Sequence, residues 1–280
     1  MELSYIINGI TKQLSIPDSE EFLLGKNQVL SNEETDVTFK FDWYNEGFSI
    51  QQFLTEDEFT FIKVGIENSI QKIIFDTLKI NVENFKLENY HKFVKTKENH
   101  FKIVSQTRDL FTKDFSFDID YLIPKLEKVL NIKLTDYDLL NNYKAHIIVR
   151  INRPNSLDFN PPHKDIYEHY DNEGYIPKFI NFWIPIAGVS NDSVLPICPK
   201  SHFLPENTIL RTIHGSIVNN NKYRVRLIKS WDNKTELIKP EINYGESLIF
   251  SSHLIHGLSL NEQNDITRVA LEFRLYEKLD

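Results

Sequence analysis

The chain has 280 residues, of which 41% are hydrophobic and 26% are charged, and these proportions exclude a disordered or fibrous protein. Its length fits one all-β domain that covers residues 1–280. The formal net charge of -8 argues against a nucleic-acid partner, because phosphate contacts need clustered Lys and Arg.

The sequence shows no sign of a secreted or membrane protein. The lone cysteine, Cys198, cannot form an internal disulfide, and the opening residues lack a basic segment followed by a long apolar run. The apolar runs elsewhere are too short to cross a bilayer. We therefore expect a cytoplasmic protein that acts on a small molecule, without a membrane or nucleic-acid partner. The sequence predicts no oligomeric state.

The first half of the chain carries two helical patterns after short β-like runs in residues 1–50. Thr55 and Glu58 form a capping box, which predicts a helix start. The apolar positions that follow at helical spacing are Phe59, Ile62, Ile66, Ile70 and Ile73. A second amphipathic segment has apolar residues at Ile119, Leu122, Leu126 and Val129, and Pro124 predicts that only the part after it is a regular helix.

From about Lys144 the sequence consists of β-branched and aromatic runs separated by turn residues. The predicted strands lie in residues 145–151, 179–186, 216–220, 223–228, 246–252 and 268–275. Helices first and strands afterwards indicate an antiparallel β core with helices on one face. We predict a mainly β fold with flanking helices: a jelly-roll, cupin-like double-stranded β-helix in residues 141–280, supported by residues 1–140.

A possible pair of metal ligands lies in Pro162-His163-Lys164-Asp165. Side chains two residues apart on a strand point to the same side, so His163 and Asp165 can bind one ion. Imidazole and carboxylate are two of the ligands in a 2-His-1-carboxylate iron site, which leaves coordination positions open. A His-x-Asp pair also arises by chance, and its alternative interpretation is an ordinary surface turn.

The third ligand is expected near residue 256, where two histidines compete. His256 precedes Gly257, whose missing Cβ lets backbone pass close to a crowded site. His253 has no such neighbour, so His256 is preferred and His253 is the second choice. Either residue could instead be a strand-end histidine bonded to backbone.

The terminal strand has one apolar and one polar side. Val269, Leu271, Phe273 and Leu275 alternate with polar positions that include Arg268, Glu272 and Arg274. If the apolar side packs under the helices, the guanidinium of Arg268 can hold a dicarboxylic acid inside the barrel. The alternative is a solvent-facing strand in which Arg268 or Arg274 pairs with Glu272.

Taken together, residues 144–276 resemble the phytanoyl-CoA dioxygenase-like (PhyH) family of iron(II)/2-oxoglutarate oxygenases, in which His-x-Asp, a distal His-Gly and an Arg recur in this order. Residues 181–186 look like the family's strand after the first two ligands, and residues 195–202 look like its Pro-Gly-Ser-His turn. Gly47-Phe48 and Phe53-Leu54-Thr55 resemble its N-terminal entry.

The resemblance implies Fe(II), 2-oxoglutarate and O2 as cofactors and co-substrates, with release of succinate and CO2. It implies that His163, Asp165 and His256 bind the metal and that Arg268 holds the far carboxylate of 2-oxoglutarate. Ser259 is expected beside that acid, and Asn181 could face it from its strand. The carboxylate of Asp165 argues for hydroxylation or a related oxidation, because related halogenases lack it.

The sequence departs from the family pattern in three places. Residues 188–193 are only loosely like the acidic Asn-Gly segment that normally precedes the turn. Lys200 stands where the turn usually has glycine, and Arg268 follows His256 by 12 residues, one more than the family pattern implies. Two other functions remain open: a cupin-type metal-dependent isomerase or lyase, and a non-catalytic binding protein on the same fold. Zinc also suits these ligand types.

Overall fold

The computed structural model describes residues 1–138, 141–191 and 193–278, without the side chains of residues 171–173. Its α-helices are α1 (Glu56–Leu78), α2 (Tyr90–Phe93), α3 (Lys97–Thr107), α4 (Leu122–Leu130) and α5 (Tyr167–Glu173). Its strands are β1 (Glu2–Ile7), β2 (Ile10–Ser15), β3 (Phe22–Leu24), β4 (Phe48–Gln52), β5 (Leu134–Thr135), β6 (Tyr137–Asp138), β7 (Tyr143–Lys144), β8 (Ile148–Asn152), β9 (Phe179–Ala187), β10 (Ile209–Thr212), β11 (Ser216–Val218), β12 (Asn221–Tyr223), β13 (Ile228–Trp231), β14 (Glu236–Leu237), β15 (Glu246–Ser251) and β16 (Arg268–Glu277).

Helix α1 begins at the predicted capping box. The Glu58 N–H donates to the Thr55 hydroxyl, and the Thr55 N–H donates to the Glu58 carboxylate over 2.9 Å. The buried side of the helix carries Ile62, Ile66, Ile70 and Ile74. Ile73, which the sequence placed on that side, is only half-buried, because the successive spacing of four residues brings Ile74 to the core.

Helix α4 corrects the expectation about Pro124. The helix begins at Leu122, two residues before the proline. The N–H groups of a first helical turn have no partner within the helix, so a proline in that turn removes no hydrogen bond. Leu122, Leu126 and Leu130 form its buried side.

The large sheet confirms the mainly β prediction. Its strands are antiparallel neighbours in the order β4-β15-β9-β16-β5, and β8 also pairs with β16. The predicted strand at residues 223–228 is wrong over most of its length, because only Tyr223 (in β12) and Ile228 (in β13) are strand residues. Residues 224 and 225 form a bend, and Leu227 already contacts β10, because its carbonyl accepts from the Thr212 N–H over 2.9 Å.

One side of this sheet packs on the helices. Phe182, Ile184, Leu271 and Phe273 join the isoleucines of α1 in the largest apolar core. Each such side chain stabilises the fold by about 1.5–3 kcal/mol when fully buried. The opposite side carries Asn181, Trp183, Phe250 and the polar residues of β16, and it faces the interior of the barrel.

A second layer closes over that polar side. It starts with β3, β10 and β13, and the Ile228 N–H of β13 donates to the Pro162 carbonyl over 2.8 Å. Single bridges then join His163 to His256, His256 to Ile197 and Ile197 to Ile238. The layer is irregular because Pro161 and Pro162 have no N–H to extend a ladder. The two layers form the predicted jelly-roll, cupin-like core.

Three N-terminal strands complete these layers. β4 pairs with β15, β3 pairs with β10, and β1 runs parallel to β14. Among the described residues, no helix combines the length and apolar character that a membrane crossing requires.

Candidate metal centre

His163 and His256 meet through their backbones. Each donates its N–H to the carbonyl of the other, over 2.9 Å and 3.0 Å, although nearly a hundred residues separate them. Residues directly opposite in an antiparallel bridge point their side chains to the same side. The two ring centres are consequently 4.3 Å apart.

Asp165 completes the cluster. One potential ligand atom from each of His163, Asp165 and His256 lies within 4.8 Å of the others, and all three side chains are buried. The Nε2 atoms of both histidines are 3.6 Å from an Asp165 oxygen. Neighbouring ligand atoms about 2.1 Å from one ion are about 3 Å apart. The spacing therefore admits a metal ion after small side-chain movements.

The hydrogen bonds of the imidazoles leave the correct nitrogens free. Nδ1 of His163 is 2.7 Å from the Pro161 carbonyl oxygen, and Nδ1 of His256 is 3.0 Å from that of Leu254. Each Nδ1–H donates to its carbonyl, so each Nε2 presents a lone pair to the cavity. Burial and the neighbouring His163 lower the pKa of His256 to about 4, which keeps this ring neutral at pH 7.

The carboxylate of Asp165 accepts one donor on each oxygen. Arg274 Nη2 donates to Oδ1 over 2.6 Å, and the Asn181 amide donates to Oδ2 over 2.8 Å. Burial alone raises the pKa of Asp165, but Arg274 and the two histidines outweigh it and hold the pKa well below its usual value. Asn181, expected to face 2-oxoglutarate, thus contacts the carboxylate of the candidate metal site.

Arg268 lies behind Ser259 and Trp183, two residues that line the cavity. It is fully buried, its Nη2 donates to the Ser259 hydroxyl, and its guanidinium carbon is 5.5 Å from the Trp183 ring centre. Its Nε and Nη1, and the indole Nε1 of Trp183, have no hydrogen-bond partner among the described residues. Buried donors without partners are costly, so the region beside Arg268 and Trp183 suits an anion.

Three charged residues of the cavity were not assigned a role from the sequence. Arg150 donates to both Glu272 oxygens over 2.6 Å, and Arg274 lies nearer the opening with its side chain 32% exposed. Alternation along β16 places Arg268, Glu272 and Arg274 on one side, which was visible in the sequence. Their partners were not visible in the sequence, because Arg150 and Asp165 come from other elements.

The remaining sequence candidates lie beside the cluster. His253 is buried outside it, with its Nε2 3.1 Å from the Thr35 carbonyl oxygen. Gly257 allows the close approach expected of it, since a Cβ there would lie 2.5 Å from the Pro161 carbonyl oxygen. Lys200 adopts φ +65°, the left-handed conformation that a glycine would take.

The cavity between the metal ligands and the arginines is narrow. Its volume is about 40 Å³, enough for about three water molecules. The ion pairs of Arg150 with Glu272 and of Arg274 with Asp165 occupy its walls. A ten-atom acid requires some of these side chains to move, and Arg274, which is partly exposed, can turn outwards.

No family model matches the sequence, and no curated protein matches it. Solved structures do match. AviO1 from Streptomyces viridochromogenes Tue57 is 15% identical, with 83% of this chain and 90% of that chain covered and a TM-score of 0.44. EvdO2 from Micromonospora carbonacea var. aurantiaca, complexed with 2-oxoglutarate, is 12% identical. The match covers 93% of this chain and 96% of that chain, with a TM-score of 0.45.

EctD from S. alaskensis, with 2-oxoglutarate and 5-hydroxyectoine, is 10% identical, with 94% of this chain and 86% of that chain covered and a TM-score of 0.46. Similarities at this level identify neither a substrate nor a reaction for this chain. The resemblance to the phytanoyl-CoA dioxygenase-like family stays a prediction, and the function rests on the residues of the site.

Proposed function

We propose that the chain is a mononuclear iron(II) oxygenase that uses 2-oxoglutarate and O2 to hydroxylate a small polar metabolite or biosynthetic intermediate. The convergence of His163, Asp165 and His256 in a buried cluster carries this proposal. Two imidazoles and one carboxylate on one side of an ion leave three positions for a chelating acid and oxygen.

The residues present fit both the metal and the oxoacid. The two Nε2 atoms that face the cavity and the ionised Asp165 are the donor set that iron(II) takes in such sites. At the other end, burial lowers the pKa of Arg268 to about 9, so the guanidinium remains charged at pH 7. Its unpartnered Nε and Nη1, with the Trp183 indole N–H, can receive a carboxylate.

The protein's contribution is binding and orientation. Asn181 fixes the Asp165 carboxylate, the backbone carbonyls of Pro161 and Leu254 fix the imidazoles, and Ser259 fixes Arg268. When bound, iron(II) and 2-oxoglutarate would activate O2, the oxidant, for C–H hydroxylation; one oxygen atom would go to the product and the other to succinate, with CO2 released. The buried walls keep bulk water from the reacting atoms.

The first test is anaerobic addition of iron(II) and then 2-oxoglutarate to metal-free protein. We expect the visible absorption of an iron–oxoacid chelate, followed in air by succinate release during a screen of candidate substrates. Asp165→Ala should abolish both signals. Arg268→Met should weaken 2-oxoglutarate binding about 100-fold, because two charge-assisted hydrogen bonds are lost.

His253 provides the matched control. It is a buried histidine three residues before His256, yet it lies outside the cluster. His256→Ala should lose iron binding, whereas His253→Ala should retain it in the folded fraction, as checked by circular dichroism. Equal loss in both variants, or an absent chelate signal in the parent protein, contradicts the proposed site.

A further inference from the structure

A second cavity adjoins the metal centre on the outer side of Asp165. This outer cavity has a volume of about 190 Å³, and its wall includes Asp165, Lys164, Glu168, His214, Arg224 and Arg226. Asp165 also lines the narrow cavity beside the histidines. A molecule bound in the outer cavity therefore lies next to the metal-binding carboxylate.

The charges of the outer cavity are unevenly compensated. Lys164 is buried, and the buried Glu206 compensates its charge over 2.9 Å. The negative charge of Asp165 is compensated by Arg274, 2.6 Å away, with or without a bound metal ion. The guanidinium groups of Arg224 and Arg226 then stand with Glu168 as the charged groups of the wall, so positive charge predominates.

Arg224 is the group available to a ligand. It is exposed at the cavity, and within the described part of the chain it has no carboxylate at ion-pair distance. Arg226, by contrast, is buried and donates to the Ile213 carbonyl. A guanidinium at the wall of a cavity binds carboxylate and phosphate groups with two parallel hydrogen bonds.

The backbone fixes the position of Arg224 relative to His214. Strands β11 and β12 form a hairpin, and Gly215 precedes it while Arg224 follows it. A Cβ on Gly215 would lie 2.3 Å from the Tyr223 carbonyl oxygen, so only glycine lets the two ends of the hairpin come this close. His214 and Arg224 are thereby held on the same wall.

We propose that the outer cavity binds the primary substrate and that this substrate carries an anionic group, a carboxylate or a phosphate, which Arg224 recognises. This inference rests on the proposed function for the identity of the reaction. It adds the substrate class and names a specificity residue. The anionic group sits at Arg224, and the rest of the molecule extends past Asp165 towards the metal.

The test follows the backbone amides of Gly215 and Val225 by NMR in metal-free protein during titration with inorganic phosphate, acetate and the neutral acetamide. We expect saturable shifts with at least one anion and none with acetamide. Binding of both anions indicates a carboxylate-sized site, and binding of phosphate alone indicates a phosphate ester. Arg224→Ala should weaken anion binding at least about tenfold, and Arg224→Lys should weaken it less.

Lys222 is the matched control, because it carries the same charge two residues earlier on the hairpin and does not line the cavity. Lys222→Ala should leave the anion affinity within twofold. In the parent protein, the proposal is overturned by chemical-shift changes only near Ser259, by equal changes with acetamide, or by no saturable change at all. Equal losses of anion affinity in Arg224→Ala and Lys222→Ala also overturn it. The titration needs neither iron nor 2-oxoglutarate, so its failure is distinct from failure of the oxygenase assay.

Discussion

The carboxylate of Asp165 is held by one charged and one neutral donor, and these should act on metal binding in opposite directions. Arg274 places a positive charge 2.6 Å from Oδ1, which repels an incoming cation. Asn181 orients Oδ2 without adding charge. We therefore predict that Arg274→Met raises the metal affinity several-fold and that Asn181→Ala lowers it about tenfold.

Competition with a chelator of known affinity measures both effects at pH 7. Arg274→Lys is the control, because it keeps the charge and should keep the affinity near that of the parent protein. The metal-free Arg274→Met protein should also unfold at a lower temperature, since the buried Asp165 loses its cationic partner. A fall in metal affinity in both variants would show that orientation outweighs repulsion at this carboxylate.

At the level of single residues, the sequence could identify side chains but not their partners. His163, Asp165 and His256 were recognisable from their types and spacing, and the structure brings them together. The contact of Arg274 with Asp165 was not recognisable. Alternation on a strand shows to which side a residue points, but it does not show which element lies opposite. The sequence alternative that paired Glu272 with Arg268 or Arg274 is wrong, since Glu272 pairs with Arg150.

Among the turns, the one at Lys200 stores conformational strain. Lys200 has φ +65° and ψ 0°, a region that costs an L-residue about 1 kcal/mol more than it costs glycine. Its side chain contributes only an exposed ion pair with Glu46. Lys200→Gly should therefore raise the free energy of unfolding by about 0.5–1 kcal/mol.

Urea unfolding of Lys200→Gly and Lys200→Ala separates the two contributions. Alanine loses the same ion pair but keeps the strain, so Lys200→Ala should leave the stability unchanged or slightly lower. Only the glycine variant should be stabilised. Equal stability of the two variants would mean that the left-handed conformation costs this turn nothing.

Elements with local signals were predictable, and elements defined by distant pairing were not. The capping box of α1 uses residues three apart, so the sequence located the helix start. The break between β12 and β13 depends on β13 pairing with β10, which comes from an earlier part of the chain. Residues 223–228 are a good strand sequence by composition, and tertiary pairing overrides that propensity.

For the molecule as a whole, composition and element order predicted the fold class, because helices followed by strands have few packing solutions. The irregular second layer could not be foreseen, since it rests on isolated bridges between His163, His256, Ile197 and Ile238. We retain the assignment of one domain as a proposal. It is supported by the pairing of β1, β3 and β4 with strands of the C-terminal half.

Buried neutral histidines should make the metal-free molecule sensitive to mild acid. Burial lowers the pKa of His202 and of His256 to about 4, and burial also lowers the pKa of His253 and His100. Unfolded histidines have a pKa of about 6.5, so below that pH the unfolded chain binds more protons than the folded one. The contribution of these neutral histidines to the free energy of unfolding is complete above pH 6.5 and declines as the pH falls towards 4.

His202 tests this linkage away from the metal centre. Its Nε2–H donates to the Tyr44 carbonyl over 2.8 Å, and its lowered pKa corresponds to at most about 3 kcal/mol between pH 6.5 and pH 4. His202→Gln keeps a donor and cannot titrate, so its unfolding free energy should fall less steeply over this range. Urea titrations at pH 7.5, 6 and 5 measure the slopes. The carboxylates with lowered pKa begin to contribute only near pH 5, and they contribute equally in the parent and the variant. Identical slopes for the parent and the variant would show that His202 takes up its proton equally in both states.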